Sequence, residues 1–265
     1  VKVDSSDLSK TLPNVKFEIK AVDGSFGPKE FTTNQSGEID LSKLNPGAYV
    51  VTELECPGYV IDDAQRIIEL KPNEKAQFVF TNSKKPTLKL TKTSADGTAL
   101  EGVSFRLAKI EDGSRYLDRT TDAKGEILWE DLEPGVYSLK EIATVDDHII
   151  DLREYHVELF PGKESTITLE NNKRPNLYVM KNDADTGEPV PNTIFLVKAA
   201  DGHSVDEIKT DSEGRAELKN LLPGVYEISE KSVPSPYLKD AEPQLVTLYP
   251  NRDHTVYFKN HKRPV

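Results

Sequence analysis

The chain repeats itself three times, and the repeat limits what it can fold into more than any other feature. An apolar-x-Asn segment followed by a basic pair and proline recurs at 80–86, 169–175 and 258–264, placing Asn82, Asn171 and Asn260 at equal intervals of 89 residues. A second landmark, Pro-Gly-x-Tyr-x-x-x-Glu, recurs at 46–53, 134–141 and 223–230 and ends on Glu53, Glu141 and Glu230. A lysine opens each copy (Lys2, Lys92, Lys181), and a phenylalanine follows it 13–15 residues later (Phe17, Phe105, Phe195). The period divides the chain into units 1–86, 87–175 and 176–265. Lys-Lys-Pro and Lys-Arg-Pro mark the boundaries. Proline fixes its own φ and holds its predecessor extended, so these joints predict a stiff tandem rod rather than a flexible string.

Within each unit the pattern is all-β. Short alternating runs, such as 88–92, 103–109, 136–142 and 165–171, are separated by Gly, Pro, Asp and Asn clusters. Turn signals fall at 23–24, 95–97, Asp112-Gly113 and 201–202, and no segment carries a helical period. Units of about 88 residues with several short strands predict two-sheet sandwiches.

Side chains in a strand alternate faces, so parity assigns the landmarks to a side. Lys92 continues the row Leu88, Leu90, and Lys181 continues Leu177, Val179. Glu53, Glu141 and Glu230 continue rows that begin on Tyr49, Tyr137 and Tyr226. Asn82, Asn171 and Asn260 follow Phe80, Leu169 and Phe258, whereas Asn172 has the outward parity. Each unit therefore aims a lysine, a glutamate and an asparagine at its own core. Lys2 has too little sequence before it for the parity test, and its strand is expected to fray.

Burying those three groups is costly unless they satisfy one another. Two readings remain open from the residues. One is an ion pair between lysine and glutamate, hydrogen-bonded to the asparagine. The other is covalent: burial favours a neutral, nucleophilic lysine amine and a protonated glutamate, which could join lysine to the asparagine carboxamide with loss of ammonia.

The single cysteine, Cys56, cannot form an internal disulfide, so exported domains of this kind would need another staple. The net charge of −11 argues against nucleic acid. No apolar run approaches the roughly 20 residues that span a bilayer, and the polar start Val1-Lys2-Val3-Asp4 is not a signal peptide. Targeting and anchoring segments of an exported protein would lie elsewhere.

The early lysine in 90–107, the Pro-Gly-x-Tyr-x-x-x-Glu box and the Phe-x-Asn ending together make all three units resemble the B-type domains of Gram-positive collagen adhesin (Cna B-type domains), found in surface adhesins and pilins. The resemblance implies immunoglobulin-like sandwiches and, in many members, a spontaneous Lys–Asn isopeptide bond assisted by the glutamate. Carried over by position, it implies cross-links Lys2–Asn82, Lys92–Asn171 and Lys181–Asn260, with Glu53, Glu141 and Glu230 assisting. The second unit departs from the others: Thr144-Val145-Asp146-Asp147-His148 stands where the first has Pro57-Gly58-Tyr59.

Other candidates carry less. Asp183-x-Asp185-x-Gly187 has part of a calcium-loop pattern without its later glutamate and is read as a turn. His148, His156, His203, His254 and His261 lack ligand spacing and are read as surface residues. Cys56 is read as an incidental turn residue and Trp129 as a half-buried strand residue. No phosphate loop or nucleophile elbow is present. The expectation is a non-enzymatic, monomeric stalk segment of a wall-anchored surface protein, needing no cofactor or metal, whose partners are its flanking domains. The alternative is a module that binds a host matrix protein or glycan. An exposed apolar patch on one unit alone would favour it.

Overall fold

The computed structural model describes residues 1–111, 113, 115–240 and 242–264. Asp112, half of one expected turn, lies outside the described residues. Among the described residues every regular element is a strand.

The first domain contains β1 (Lys2–Asp4), β2 (Lys16–Ala21), β3 (Lys29–Thr32), β4 (Gly47–Glu55), β5 (Tyr59–Ile61), β6 (Gln65–Leu70) and β7 (Phe80–Lys84). The second contains β8 (Thr87–Ser94), β9 (Ser104–Lys109), β10 (Tyr116–Thr120), β11 (Glu126–Trp129), β12 (Gly135–Ala143), β13 (Glu154–Leu159) and β14 (Glu164–Asn171). The third contains β15 (Leu177–Asp183), β16 (Ile194–Ala199), β17 (Ser204–Lys209), β18 (Arg215–Leu218), β19 (Gly224–Ser232), β20 (Gln244–Leu248) and β21 (His254–Asn260).

Each domain is a sandwich of two sheets. The four-stranded sheets run β3-β2-β4-β6, β10-β9-β12-β13 and β17-β16-β19-β20. The three-stranded sheets run β1-β7-β5, β11-β8-β14 and β18-β15-β21. The inward rows of each pair of sheets form one apolar cluster per domain. The first and last strands of every domain lie side by side and parallel.

The Pro-Gly-x-Tyr box sets the corner from which β4, β12 and β19 begin. The hydroxyls of Tyr49, Tyr137 and Tyr226 donate to the carbonyls four residues upstream, on Asn45, Glu133 and Leu222, at 2.8–2.9 Å. The buried ring joins the core while its polar tip ties down the loop. Trp129 departs from expectation: it is fully buried, because its ring crosses the sandwich and its Nε1 donates to the Leu117 carbonyl in β10.

Both joints are built alike. The Pro86 and Pro175 carbonyls accept from Leu132 and Leu221, and the Lys84 and Lys173 carbonyls accept from Gly162 and Asn251. Each joint is thus hydrogen-bonded to two loops of the following domain.

Candidate functional site in each sandwich

Strand pairing assembles the same cluster three times. In the three-stranded sheet, Lys2 pairs with Phe80, Lys92 with Leu169 and Lys181 with Phe258. Two residues further on, Asp4 pairs with Asn82, Ser94 with Asn171 and Asp183 with Asn260. Lysine and asparagine therefore stand diagonally on neighbouring strands, facing the same core. The glutamate comes from the opposite sheet, where Glu53, Glu141 and Glu230 lie across from Phe17, Phe105 and Phe195. The ladder shifts register at each of these pairs, a bulge that re-aims the side chain. All nine groups are buried, Lys2 included, so the fraying expected of its strand does not extend to this residue.

The contacts differ among the copies. In the second domain the Lys92 ammonium donates to Asn171 Oδ1 at 2.7 Å and lies 3.0 Å from Glu141 Oε2. The Asn171 amide donates to Glu141 Oε1 at 2.6 Å and to Thr144 Oγ1 at 3.0 Å, closing a triangle. In the first domain Lys2 donates to Glu53 Oε2 and to the Thr81 carbonyl, each at 2.8 Å, while Asn82 donates to Glu53 Oε1 at 2.5 Å. In the third, Asn260 donates to Glu230 Oε2 at 2.9 Å, but Lys181 lies 3.4 Å from Glu230 Oε1. Lys181 Nζ, Glu230 Oε1 and Asn260 Oδ1 are buried there without a hydrogen-bond partner. Burial pushes the amine pKa values of Lys2 and Lys181 down, against the opposing pull of their glutamates.

A repeated glycine escaped the sequence reading. Gly37, Gly125 and Gly214 adopt φ near +70°, and their carbonyls accept the backbone amides of Lys2, Lys92 and Lys181 at 2.7–2.8 Å. A Cβ on any of them would fall within 2.3–2.7 Å of that lysine's own carbonyl oxygen. Their intervals, 88 and 89 residues, were visible in the sequence, but an isolated Ser-Gly, Lys-Gly or Glu-Gly reads only as a turn.

A second polar layer was also missed, although parity extends to it. Asp4, Ser94 and Asp183 lie two residues beyond the lysines and are buried. Tyr59 and Tyr237 donate to Asp4 and Asp183 at 3.1 and 2.9 Å. In the second domain His148 takes the tyrosine's place, with Nε2 3.1 Å from Ser94 Oγ and Nδ1 2.7 Å from Asp147 Oδ1. His148 is consequently buried, not at the surface as expected, because its turn folds inward against β14 exactly where the other two turns bring tyrosine. The turn itself survives the sequence change: the amides of Tyr59, His148 and Tyr237 each donate three residues back. Cys56 is likewise more than a turn residue. It is buried beside the Asn82 amide, and burial raises its thiol pKa. Asp183 spends its Oδ1 on the amides of Asp185 and Thr186 and its Oδ2 on Tyr237 and Lys262, in keeping with a turn.

The profile of the SpaA domain, described as a prealbumin-like fold domain, matches residues 1–84, 86–173 and 175–262. The chain belongs to this family. Its repeats are three Cna B-type, prealbumin-like sandwiches of the kind found in pilins and adhesins. A collagen adhesin of Staphylococcus aureus is 32% identical over 96 residues, covering 34% of this chain and 8% of the relative. Colossin-A of Dictyostelium discoideum is 24% identical over 91% of this chain and 2% of its own length. The chain thus spans a small part of both curated relatives. Among solved structures, a streptococcal ancillary pilin is 23% identical, with coverage of 94% and 92% and a TM-score of 0.41. The Bacillus anthracis TIE protein is 26% identical, with coverage of 99% and 50% and a TM-score of 0.41.

Proposed function

We propose that the chain is a load-bearing stalk segment of a cell-surface adhesin or pilus, each domain of which closes a Lys–Asn isopeptide bond between its first and last strands. The observation that carries this reading is the second-domain triangle, where a buried amine touches a buried carboxamide and one carboxylate touches both. Neutral Lys92 Nζ attacks Asn171 Cγ, the new C–N bond forms, and the original C–N bond breaks to release ammonia. Glu141 in its acid form gives its proton to the carboxamide, accepts the proton that the attacking amine loses, and so ends unchanged while the leaving nitrogen departs as ammonia. Contact fixed by two sheets supplies the effective concentration. The reaction occurs once per domain and consumes no external substrate, so the chain is not an enzyme in the ordinary sense.

The position suits a stalk. Tension entering at Thr87 and leaving at Asn171 shears β8 against its parallel neighbour β14, and the bond ties those two strands. It closes a loop of 79 residues, for which the chain-entropy treatment of cross-links gives about 4.5 kcal/mol. The joints, hydrogen-bonded to the next domain, pass the load onward as a rod, and a single chain suffices for this role. The surface location and the flanking domains of the same protein as partners follow from this reading. Intact mass of the purified chain tests it. A deficit of three ammonia molecules is expected, and a mass equal to the sequence overturns the cross-link.

A further inference from the structure

In the first domain one carboxylate faces both nitrogens of the cluster. Glu53 Oε2 accepts from Lys2 at 2.8 Å, and Glu53 Oε1 accepts from the Asn82 amide at 2.5 Å. The glutamate is therefore placed to pass a proton from the attacking nitrogen to the leaving one. The carboxamide oxygen has a different neighbour. The backbone amide of Asp62, in the turn between β5 and β6, donates to Asn82 Oδ1 at 3.2 Å.

That turn is pinned on three sides. Ile61 pairs with Asn82 in the ladder, and the Ser83 hydroxyl donates to Asp62 Oδ2 at 3.1 Å. The Ala64 carbonyl accepts the backbone amide of Glu53 at 2.8 Å. The turn thus hangs from the two strands that carry the glutamate and the asparagine. The same aspartate recurs at intervals of 89 residues as Asp151 and Asp240, yet each copy meets the carboxamide oxygen differently. Asn171 Oδ1 takes the Lys92 ammonium. In the third domain the Asp240 amide donates to Glu230 Oε2 instead, and Asn260 Oδ1 is buried without a hydrogen-bond partner among the described residues.

Resting on the isopeptide reading above, we infer that the Asp62 backbone amide is the oxyanion donor of the first-domain reaction. As Lys2 Nζ bonds to Asn82 Cγ, the carbonyl π pair moves onto Oδ1, and the Asp62 N–H holds that charge. The pair returns to rebuild the carbonyl while the original C–N bond breaks. Ammonia leaves with the proton that Lys2 gave up through Glu53. A donor fixed before the reaction needs no reorganisation as the charge develops, so it stabilises the transition state more than a mobile group would.

The test compares Asp62→Pro, which deletes the N–H, with Asp62→Ala, which keeps it; both lose the Ser83 contact equally. Ile61 is already extended, as the residue before a proline must be. Full-length chain is made by cell-free synthesis, and the Lys2–Asn82 link is followed over time by peptide mapping. Proline is expected to close the link at least about tenfold more slowly than alanine, and a smaller difference overturns the inference. Hydrogen exchange at the Asp62 amide of the wild-type chain is a second measurement that needs no variant to fold. After closure the same oxygen becomes the isopeptide carbonyl, so exchange is expected to be slowed by about tenfold or more relative to an unstructured chain. Exchange at the unstructured rate in the folded domain overturns the inference whatever the proline variant does. Absence of a link from every wild-type domain would overturn the isopeptide reading and this inference together. A wild-type link that forms equally fast in both variants overturns this inference alone.

Discussion

The second and third domains share a fold and a cluster, yet of the two only the second has its lysine in contact with the carboxamide. Lys92 donates to the carboxamide it would attack, whereas Lys181 stands 3.4 Å from its glutamate and Asn260 Oδ1 has no hydrogen-bond partner. The strands that carry the groups pair in the same register, so strand placement alone does not determine reactive contact. The difference lies in a fourth group. Three residues past the glutamate the second domain has Thr144, whose hydroxyl accepts from the Asn171 amide and turns the carbonyl toward Lys92. The third has Val233 at that position, and its Glu230 Oε2 is shared with the Asp240 amide at 2.7 Å.

The largest expected effect comes from removing a cross-link partner. Asn171→Ala abolishes the second-domain bond and leaves Lys92 in the core with Glu141, 3.0 Å away, as its remaining partner. The lost loop constraint is about 4.5 kcal/mol. One ammonia should return to the mass, and one calorimetric transition should fall well below the others. Asn260→Ala should do the same in the third domain. Equal mass deficits in wild type and Asn171→Ala would show that another asparagine is used.

Glu141→Gln keeps the shape and removes the proton carrier. The expected outcome is one retained ammonia in a domain that still folds, with amide dispersion in NMR unchanged outside the cluster. A complete deficit would assign proton transfer to another group.

Exchanging the fourth group tests the comparison itself. A hydrogen bond of this kind contributes about 1 kcal/mol, so Thr144→Val should slow bond formation in the second domain by roughly fivefold. Val233→Thr should speed it in the third. Mass spectrometry of freshly refolded chain should show the first ammonia leaving from the second domain. Simultaneous closure in all domains would mean that Thr144 plays no part in ordering the carboxamide.

Much of this cluster was legible because strand parity converts a sequence position into a direction. Lys92, Glu141 and Asn171 extend rows of apolar residues, and no surface role explains that placement. The second polar layer follows the same parity, but a Ser or Asp two residues past the lysine sits next to a turn, where polar residues are unremarkable. His148 was not legible at all. Nothing local in Asp146-Asp147-His148 resembles Pro57-Gly58-Tyr59. The segments correspond by position, but it is the ladder, pairing His148 with Lys173 as it pairs Tyr237 with Lys262, that shows the histidine to take the tyrosine's place. Thr144 was invisible for the same reason, since its role depends on which way Asn171 turns.

The smallest expected effect lies in that second layer and appears only in acid. The Lys262 ammonium, followed by the Asp185 and Thr186 amides and the Tyr237 hydroxyl, holds the Asp183 carboxyl well below the usual carboxylate range. A carboxyl depressed in the folded state binds fewer protons than in the unfolded chain. Its contribution is therefore complete above the unfolded pKa of about 4 and is lost as pH falls through the folded value. The second domain has Ser94 and His148 in this place and loses no such carboxylate contribution. Domain-resolved melting between pH 5 and pH 2 should thus show a steeper acid loss from this layer in the third domain, and Asp183→Asn should flatten it without changing the ammonia deficit. An unchanged acid slope in Asp183→Asn would mean that solvent screening cancels the Lys262 pair, leaving the layer as packing rather than charge.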